Sequence, residues 1–596
     1  MSTHATTDAG ISPGNVLMVE DLTVAVGRKN YVNPVTGEAE PNPSTGERTI
    51  PKRTLSPTKA SKAVKSFFDL RISNNDVDDK QKIWIYTGMI WKPDGERQIK
   101  NTIDAKIDDL SYEKGLQETL RRVRGMTESV DFDSNPYLFP ALDKVIDLST
   151  GVVRDYLPED YLTYQYGATY DNPDADYRPI LWFLCSSLED PRDVLTALDI
   201  VNATFIRVAM DAIILLIGPG GNGKGVFEKI LIALCTSGRV AVITISEAKA
   251  SKFGTGAVIG KDLWIMSEVE DVKNSINILK KVSTGELTDS DTKYGGRIRG
   301  KPYVLPILDC NNPIEFGDDS WGRMRRVIKL DFPFRFDNVP GTRLKDPHLL
   351  DTVTSPQALS GLLKIIAARA PFLCKSRRIY NRKRPEQMNE EHKRQQNSLP
   401  YFCDACLTNS IPCNENDEPI DKNGLPCPKG EPSRLTTEDL YDEYKEYCTL
   451  FNVPVPADKG KVGKYIKEKF GVSSVPTTEK GQPIRYYRGL YLSKSAGTAY
   501  AEFSGNYTNY TETTEKLQED MGENDVSRLL TTAEWPEDVI VEIEKMFRYI
   551  LSCEDPQKIS YNDYLQSAVV SVVPVVSNQE ISIQEDGSVV PPVAIL

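Results

Sequence analysis

An unbroken apolar run, Ala212-Ile213-Ile214-Leu215-Leu216-Ile217, feeds a glycine-rich loop, Gly218-Pro219-Gly220-Gly221-Asn222-Gly223-Lys224. The chain leaves that loop through Gly225 and Val226-Phe227-Glu228-Lys229-Ile230-Leu231-Ile232-Ala233-Leu234, apolar at helical spacing. Strand, glycine loop and helix in that order form the context of a phosphate-binding loop. The glycines let backbone N–H groups turn inward around phosphate oxygens. The helix start adds its own N–H groups and partial positive charge. Lys224 brings a full charge to the outer phosphates, so residues 218–226 are the candidate nucleotide cradle. A glycine turn joining a strand to a helix is the plain alternative. One position departs from the motif, because Gly225 stands where Ser or Thr usually follows the lysine. That hydroxyl normally sits on Mg²⁺, and neither Val226 nor Phe227 replaces it. Water can fill the place, so the departure bears on turnover more than on nucleotide binding.

A chain of 596 residues holds several domains. Its 40% hydrophobic and 26% charged residues are those of an ordinary globular protein. The apolar runs read as too short for a bilayer and the N-terminus lacks a signal-peptide core. The expected place is the cytoplasm, that of the host cell if the chain is virus-encoded, with no membrane partner. Ten scattered cysteines argue for reduced thiols. A net charge of −13 does not suggest a nucleic-acid coat, although a local basic channel can bind phosphate on an acidic protein. With only His4, His348 and His392, histidine-based catalysis and His-rich metal sites are poor candidates.

Residues 1–62, rich in Pro, Thr, Ser and Gly, read as a flexible arm. An N-terminal α+β and helical domain is expected over 63–190, with hairpins at Ile83–Trp91 and Val145–Val153. The βα-alternating core spans 191–340, and a helical segment with a polar loop spans 341–432. A compact small domain covers 433–495. The extension 496–596 is unassigned apart from an amphipathic helix at Trp535–Leu551.

Three further stretches carry chemistry. Leu263-Trp264-Ile265-Met266-Ser267-Glu268-Val269-Glu270 reads as a buried strand ending in acids, and alternation puts Glu268 and Glu270 on one face. One carboxylate would hold the metal and the other orient the attacking water; a solvated acidic turn is the alternative. Val304–Leu308 is another short apolar run, followed by Asp309-Cys310-Asn311-Asn312-Pro313, where Asn311 can reach a γ-phosphate or simply form a turn. Arg325 and Arg326 can act as a finger on a neighbouring subunit's γ-phosphate or form surface ion pairs. Between the acids and the asparagine, Lys293-Tyr294-Gly295-Gly296-Arg297-Ile298-Arg299-Gly300-Lys301 reads as a hairpin with a cationic tip. Such a tip can track a single strand, with Tyr294 stacking on a base, or stay a solvated surface.

The order of these motifs resembles the superfamily 3 helicases of the AAA+ class. More closely, the chain is similar to the helicase half of satellite-phage, plasmid and poxvirus-type primase–helicases. The resemblance rests on Gly218–Lys224, Ser267–Glu270, Leu279–Glu286, the basic hairpin, Cys310–Pro313 and Met324–Arg326. It extends outward through Trp84–Gly88 and Ile146–Gly151 to Leu440–Tyr444, Val462–Ile466 and Arg485–Leu490, the last three similar to a winged-helix segment. It implies a multidomain α/β chain: an AAA+ P-loop core with a central parallel sheet, an α+β domain before it and a winged-helix-like domain after it. It further implies ATP and Mg²⁺, with Glu268 on the metal, and a homo-oligomeric, commonly hexameric ring moving 3′ to 5′ on single-stranded DNA at a forked duplex. A separate primase or replication initiator is an expected partner, since the stretch before Trp84 reads as too short for a primase domain. The competing function is a nucleotide-gated DNA-binding, origin or packaging scaffold with little turnover, which Gly225 favours. Cys403, Cys406, Cys413 and Cys427 could close a zinc site, although the second pair lacks Cys-x-x-Cys spacing.

Overall fold

The computed structural model describes residues 17–30, 41, 49–74, 81–107, 113–241, 243–250, 255–267, 269, 276–291, 297–311, 326–337, 339, 342–381, 393–394, 397–414, 418–421, 425–427, 434–451, 453, 458–479, 482–500, 535–553, 555, 557 and 559–572. A short helix α1 (Val19–Leu22) leads into an antiparallel pair, β1 (Thr23–Asn30) and β2 (Thr49–Leu55). Helix α2 (Pro57–Phe67) opens with proline in its first turn, where no N–H is needed. Strands β3 (Leu70–Ser73), β4 (Ile83–Tyr86) and β5 (Trp91–Lys92) follow, then α3 (Gly95–Lys106), α4 (Glu113–Met126) and β6 (Ser129–Val130). The sheet runs in the order β5-β4-β3-β6, and the expected hairpin at 83–91 is the β4–β5 pair. Leu17, Leu22, Leu55 and Ala60 are buried in one core with Ile83, Ile99 and Leu120. This corrects the arm expected over 1–62: its described part from residue 17 builds one side of this domain. The physical reason is that Leu22, Leu55 and Ala60 each stand between polar residues and Leu17 lies in a run of only four apolar residues, so no periodicity announces them.

An antiparallel meander comes next, β7 (Leu138–Pro140), β8 (Val145–Asp147) and β9 (Val152–Arg154). Helices α5 (Arg178–Ser187) and α6 (Pro191–Phe205) lead to β10 (Ile213–Ile217), α7 (Lys224–Leu234), β11 (Val240–Ala241), α8 (Ile245–Ala250), β12 (Leu263–Met266) and α9 (Ile276–Ser283). After the hairpin β13 (Thr288–Asp291) and β14 (Arg297–Gly300) come β15 (Leu305–Cys310) and β16 (Val327–Asp331). A five-stranded sheet, β11-β12-β15-β10-β16, is parallel throughout. Both faces are covered, which is why β10 is apolar at every position. Ile214, Leu216, Leu305 and Ile307 face the core that holds Phe227 and Ile230 of α7. Ile213, Leu215, Leu308 and Cys310 face the one that holds Ile276 and Leu279 of α9.

Helices α10 (Leu349–Val353) and α11 (Pro356–Ser376) close the first of these cores. By length and composition α11 could cross a membrane, against the reading that no run is long enough, but 72% of its apolar window is buried inside the molecule. It is anchored to α6 by Arg369, fully buried, which donates to both carboxylate oxygens of Asp199 at 2.9 and 3.1 Å. A third core gathers α12 (Ser398–Cys406), β17 (Leu407–Thr408), α13 (Thr437–Leu450), α14 (Lys459–Phe470), the hairpin β18 (Ser474–Glu479) and β19 (Gln482–Tyr487), and β20 (Tyr491–Leu492). Finally α15 (Glu537–Ser552) and α16 (Tyr561–Val572) return to the first core. There Trp182 of α5 meets Tyr549, Tyr561 and Tyr564 at ring distances of 5.4–5.9 Å.

These contacts redraw the expected domains. No boundary falls at 190/191, because Phe139, Ile146 and Trp182 share one core with Phe227. The segment 341–432 divides between two bodies, α11 in the core beside the parallel sheet and α12 in the small domain. Part of the unassigned extension 496–596 belongs to the core beside the parallel sheet, and Ala496 and Ala499 belong to the small domain.

Candidate nucleotide-binding site

The glycine loop leaves the carboxyl end of β10, where open parallel sheets bind ligands. Neighbouring strands hold it from both sides. Gly218 N–H donates to Cys310 O at 3.2 Å, Phe332 N–H to Ile217 O at 2.7 Å and Phe336 N–H to Gly221 O at 2.9 Å. Asn222 Nδ2 donates to Phe332 O at 3.0 Å. A Cβ on Gly218 would lie 2.1 Å from Asn222 Nδ2 and 2.3 Å from Phe332 O, so only glycine fits. Gly223 caps α7 at φ +101°, a left-handed conformation that side chains resist. Pro219, Gly220 and Gly221 are exposed at the mouth.

Lys224 is the first residue of α7 and is 3% exposed. Its Nζ donates to Gly218 O, and lies 3.4 Å from Asn311 Oδ1 and 3.3 Å from Asp309 Oδ1. Asp309 comes to this corner by alternation: Leu305 and Ile307 point to the α7 side of the sheet, and Asp309 continues that face at the end of β15. One helical turn beyond Lys224, Glu228 is 9% exposed and its Oε1 has no hydrogen-bond partner. Burial pushes its carboxyl up to about 7, Asp309 adds to the effect, and Lys224 pulls the other way. Gly225 is exposed, with nothing within 4 Å of the place a Cβ would take.

Of the candidate site residues, the structure brings together Lys224, Asn311 and the loop 218–226. It does not bring Arg326 to them. Arg326 precedes β16, its carbonyl accepts from Ile213 N–H, and its side chain pairs with Asp211. That is the amino edge of the sheet, a five-residue strand or roughly 16 Å from the loop. β12 ends at Met266; Glu268, Glu270 and Arg325 lie outside the described residues, and the described Val269 donates its N–H to Asp309 O at 2.9 Å. Lys293 and Tyr294 also lie outside the described residues. Arg297 and Arg299 sit on β14, opposite Asp291 and Asp289 in register, and Lys301 is exposed just after it. Among the described residues no group of three or more His, Cys, Asp or Glu gathers as metal ligands. Cys403 and Cys406 are buried in the small domain's core, whereas Cys413 is exposed.

Glu228 and Asp309 were not singled out as functional from the sequence. The signals were there: a carboxylate on a helix face four residues after the lysine, and an acid in register with the apolar residues of its strand.

Comparison with known proteins gives matches to separate parts of the chain. A family of unknown function (DUF5906) matches residues 216–326, the stretch from the glycine loop to Arg326. The family described as D5 N terminal like matches residues 67–186. A protein of Acanthamoeba polyphaga mimivirus named "Putative helicase" is 23% identical over 255 residues, 40% of this chain. Solved structures of the C-terminal region of NrS-1, in apo form, are 12% identical at a TM-score of 0.36 and cover 70% of this chain and 95% of theirs. The chain spans a quarter of the length of the mimivirus relative to which it is similar.

Proposed function

We propose that the chain is the ATP-driven motor of a replicative DNA helicase of a mobile element. The observation that carries this reading is the buried Lys224 at the carboxyl edge of a parallel sheet, inside a loop that only glycine can build. The residues fit a Mg²⁺-bound nucleotide: exposed backbone at 219–221 for the phosphates, an ammonium behind it, and open space at Gly225. ATP, when bound, supplies the free energy of phosphate release. Lys224 would hold the outer phosphates, Asn311 would touch the γ-phosphate or the attacking water, and Glu268 and Glu270 would serve the metal and that water. The mimivirus relative, named "Putative helicase", supports the helicase reading.

The AAA+, superfamily 3 and ring assignments are part of this proposal. Arg326, at the far end of the sheet from its own lysine, is suited to a neighbour's nucleotide, as head-to-tail contacts in a hexamer would require. The β13–β14 hairpin, with Lys293, Tyr294, Arg297, Arg299 and Lys301, would track single-stranded DNA. Two helices followed by a hairpin, α13–α14 and β18–β19, support a winged-helix reading of the small domain. Gly225 favours a second reading, a nucleotide-gated scaffold with little turnover. Displacement of a labelled strand from a fork with a 3′ tail separates the two. The motor opens the fork with ATP and not with a non-hydrolysable analogue; opening with neither, together with nucleotide-dependent DNA binding, would establish the scaffold instead.

A further inference from the structure

We propose that Glu228 is an oxygen ligand of the divalent cation at the nucleotide site, replacing from one helical turn on the hydroxyl that Gly225 omits. The inference rests on reading 218–226 as a nucleotide site. Residue 228 follows Gly225 by three positions and Lys224 by four, so all three share one face of α7. Helical side chains lean toward the helix N-terminus, which carries the Glu228 carboxylate back toward the loop. The place above it is free, since Gly225 has no side chain and nothing else approaches within 4 Å.

The electrostatics also ask for a cation. Glu228 is nine-tenths buried and its Oε1 is unpartnered. A buried carboxylate without a partner is costly, and the residues beside Glu228 on α7 that enter the core, Phe227, Ile230 and Leu231, are apolar. Among the described residues the ammonium at this corner is Lys224, whose Nζ is already shared among Gly218 O, Asn311 and Asp309. Among the described residues, two carboxylates, Asp309 and Glu228, stand with one ammonium, and a polyphosphate entering beside those acids would meet repulsion. A hard divalent cation with oxygen ligands removes that conflict, and Mg²⁺ binds through one or two carboxylates together with substrate phosphates and retained waters. Ser or Thr at 225 would supply a neutral oxygen from the first turn; Glu228 supplies a charged one from the second.

Fluorescent mant-ADP titrated onto the full-length protein over a series of Mg²⁺ concentrations tests this through binding, without turnover. Wild type binds with a Mg²⁺-dependent affinity. Glu228→Gln, which keeps the shape and removes the charge, raises the half-saturating Mg²⁺ by about tenfold or more. Adding Gly225→Ser to that variant restores the half-point toward wild type, because the motif's usual oxygen returns. An unchanged Mg²⁺ half-point in Glu228→Gln, with nucleotide still bound, overturns the proposal and leaves the nucleotide site standing. A raised half-point that Gly225→Ser does not restore also overturns it, since a packing role for Glu228 gives that pattern. No binding by wild type at any Mg²⁺ concentration removes the nucleotide site itself. Should Glu228→Gln fail to fold, as a circular-dichroism melt would show, Glu228→Met carries the same titration.

Discussion

At the scale of single residues, the loop is decided by where atoms cannot go. Gly218→Ala puts a Cβ within 2.3 Å of a carbonyl on the neighbouring strand extension. Backbone does not yield as a flexible side chain does, so this variant is expected to lose nucleotide binding and to melt at lower temperature, both read in one thermal-shift series with and without nucleotide. Lys224→Ala fails for a different reason. It removes the charge meant for the phosphates and leaves Asp309 and Glu228 facing each other without the ammonium beside them. ATPase and unwinding should vanish, and stability should fall by about 1–3 kcal/mol, measured by urea denaturation. ATPase retained in that variant would place the nucleotide elsewhere. Lys224 and the glycines were legible in the sequence because the motif has fixed spacing. Asp309 was not, because its role depends on the face of β15 to which it belongs.

At the scale of elements, the returning helices α15 and α16 are the part least visible beforehand. Trp535–Leu551 reads as amphipathic, and the structure has α15 over 537–552, but amphipathy names no partner. The partner is α5: Trp182 stacks on Tyr564, and Tyr177 Oη donates to Asp538 Oδ2 at 2.7 Å. Tyr564 is 4% exposed, so Tyr564→Ala should cost about 3 kcal/mol, in the range for a buried aromatic side chain. Tryptophan fluorescence during denaturation reports it, and a loss below about 0.5 kcal/mol would mean that the two helices rest on the core beside the parallel sheet without bracing it. The β13–β14 hairpin carries a prediction of its own kind. Exchanging Lys293, Arg297, Arg299 and Lys301 for Ala should weaken single-strand binding and flatten its salt dependence by about 0.7 per lost phosphate contact. The register sets an acid opposite each arginine of β14, so an unchanged slope would assign these charges to the hairpin itself.

At the scale of the whole molecule, the two ends of the central sheet have different tasks. The loop and its acids lie at the carboxyl ends of the strands, and Arg326 with Asp211 at the amino ends. The Arg326–Asp211 pair is partly exposed, and such pairs contribute about 0–1 kcal/mol. Arg326→Ala should therefore stay folded and bind nucleotide. If Arg326 serves a neighbour's site, ATPase drops, and mixing this variant with Lys224→Ala restores part of it, because some mixed interfaces hold both intact residues. With subunit exchange shown by differential labelling, no recovery at any ratio would reduce Arg326 to a surface ion pair.

The sequence by itself determined the loop, its helix, the apolar strands and the hairpins at 83–91 and 145–153, because each is written in a local period, a fixed spacing or a turn signal. Tertiary structure alone decided where the domains divide. Leu17, Leu22, Leu55 and Ala60 enter a core that β3, β4, α3 and α4 complete. The meander β7–β9 and the helices α15 and α16, far apart along the chain, complete the core that backs the loop. A residue's burial there depends on partners hundreds of positions away, and no local pattern encodes them. The same holds for the acid beside the lysine. The spacing of Glu228 on its helix and of Asp309 on its strand is local, but only the tertiary fold sets both carboxylates near Lys224.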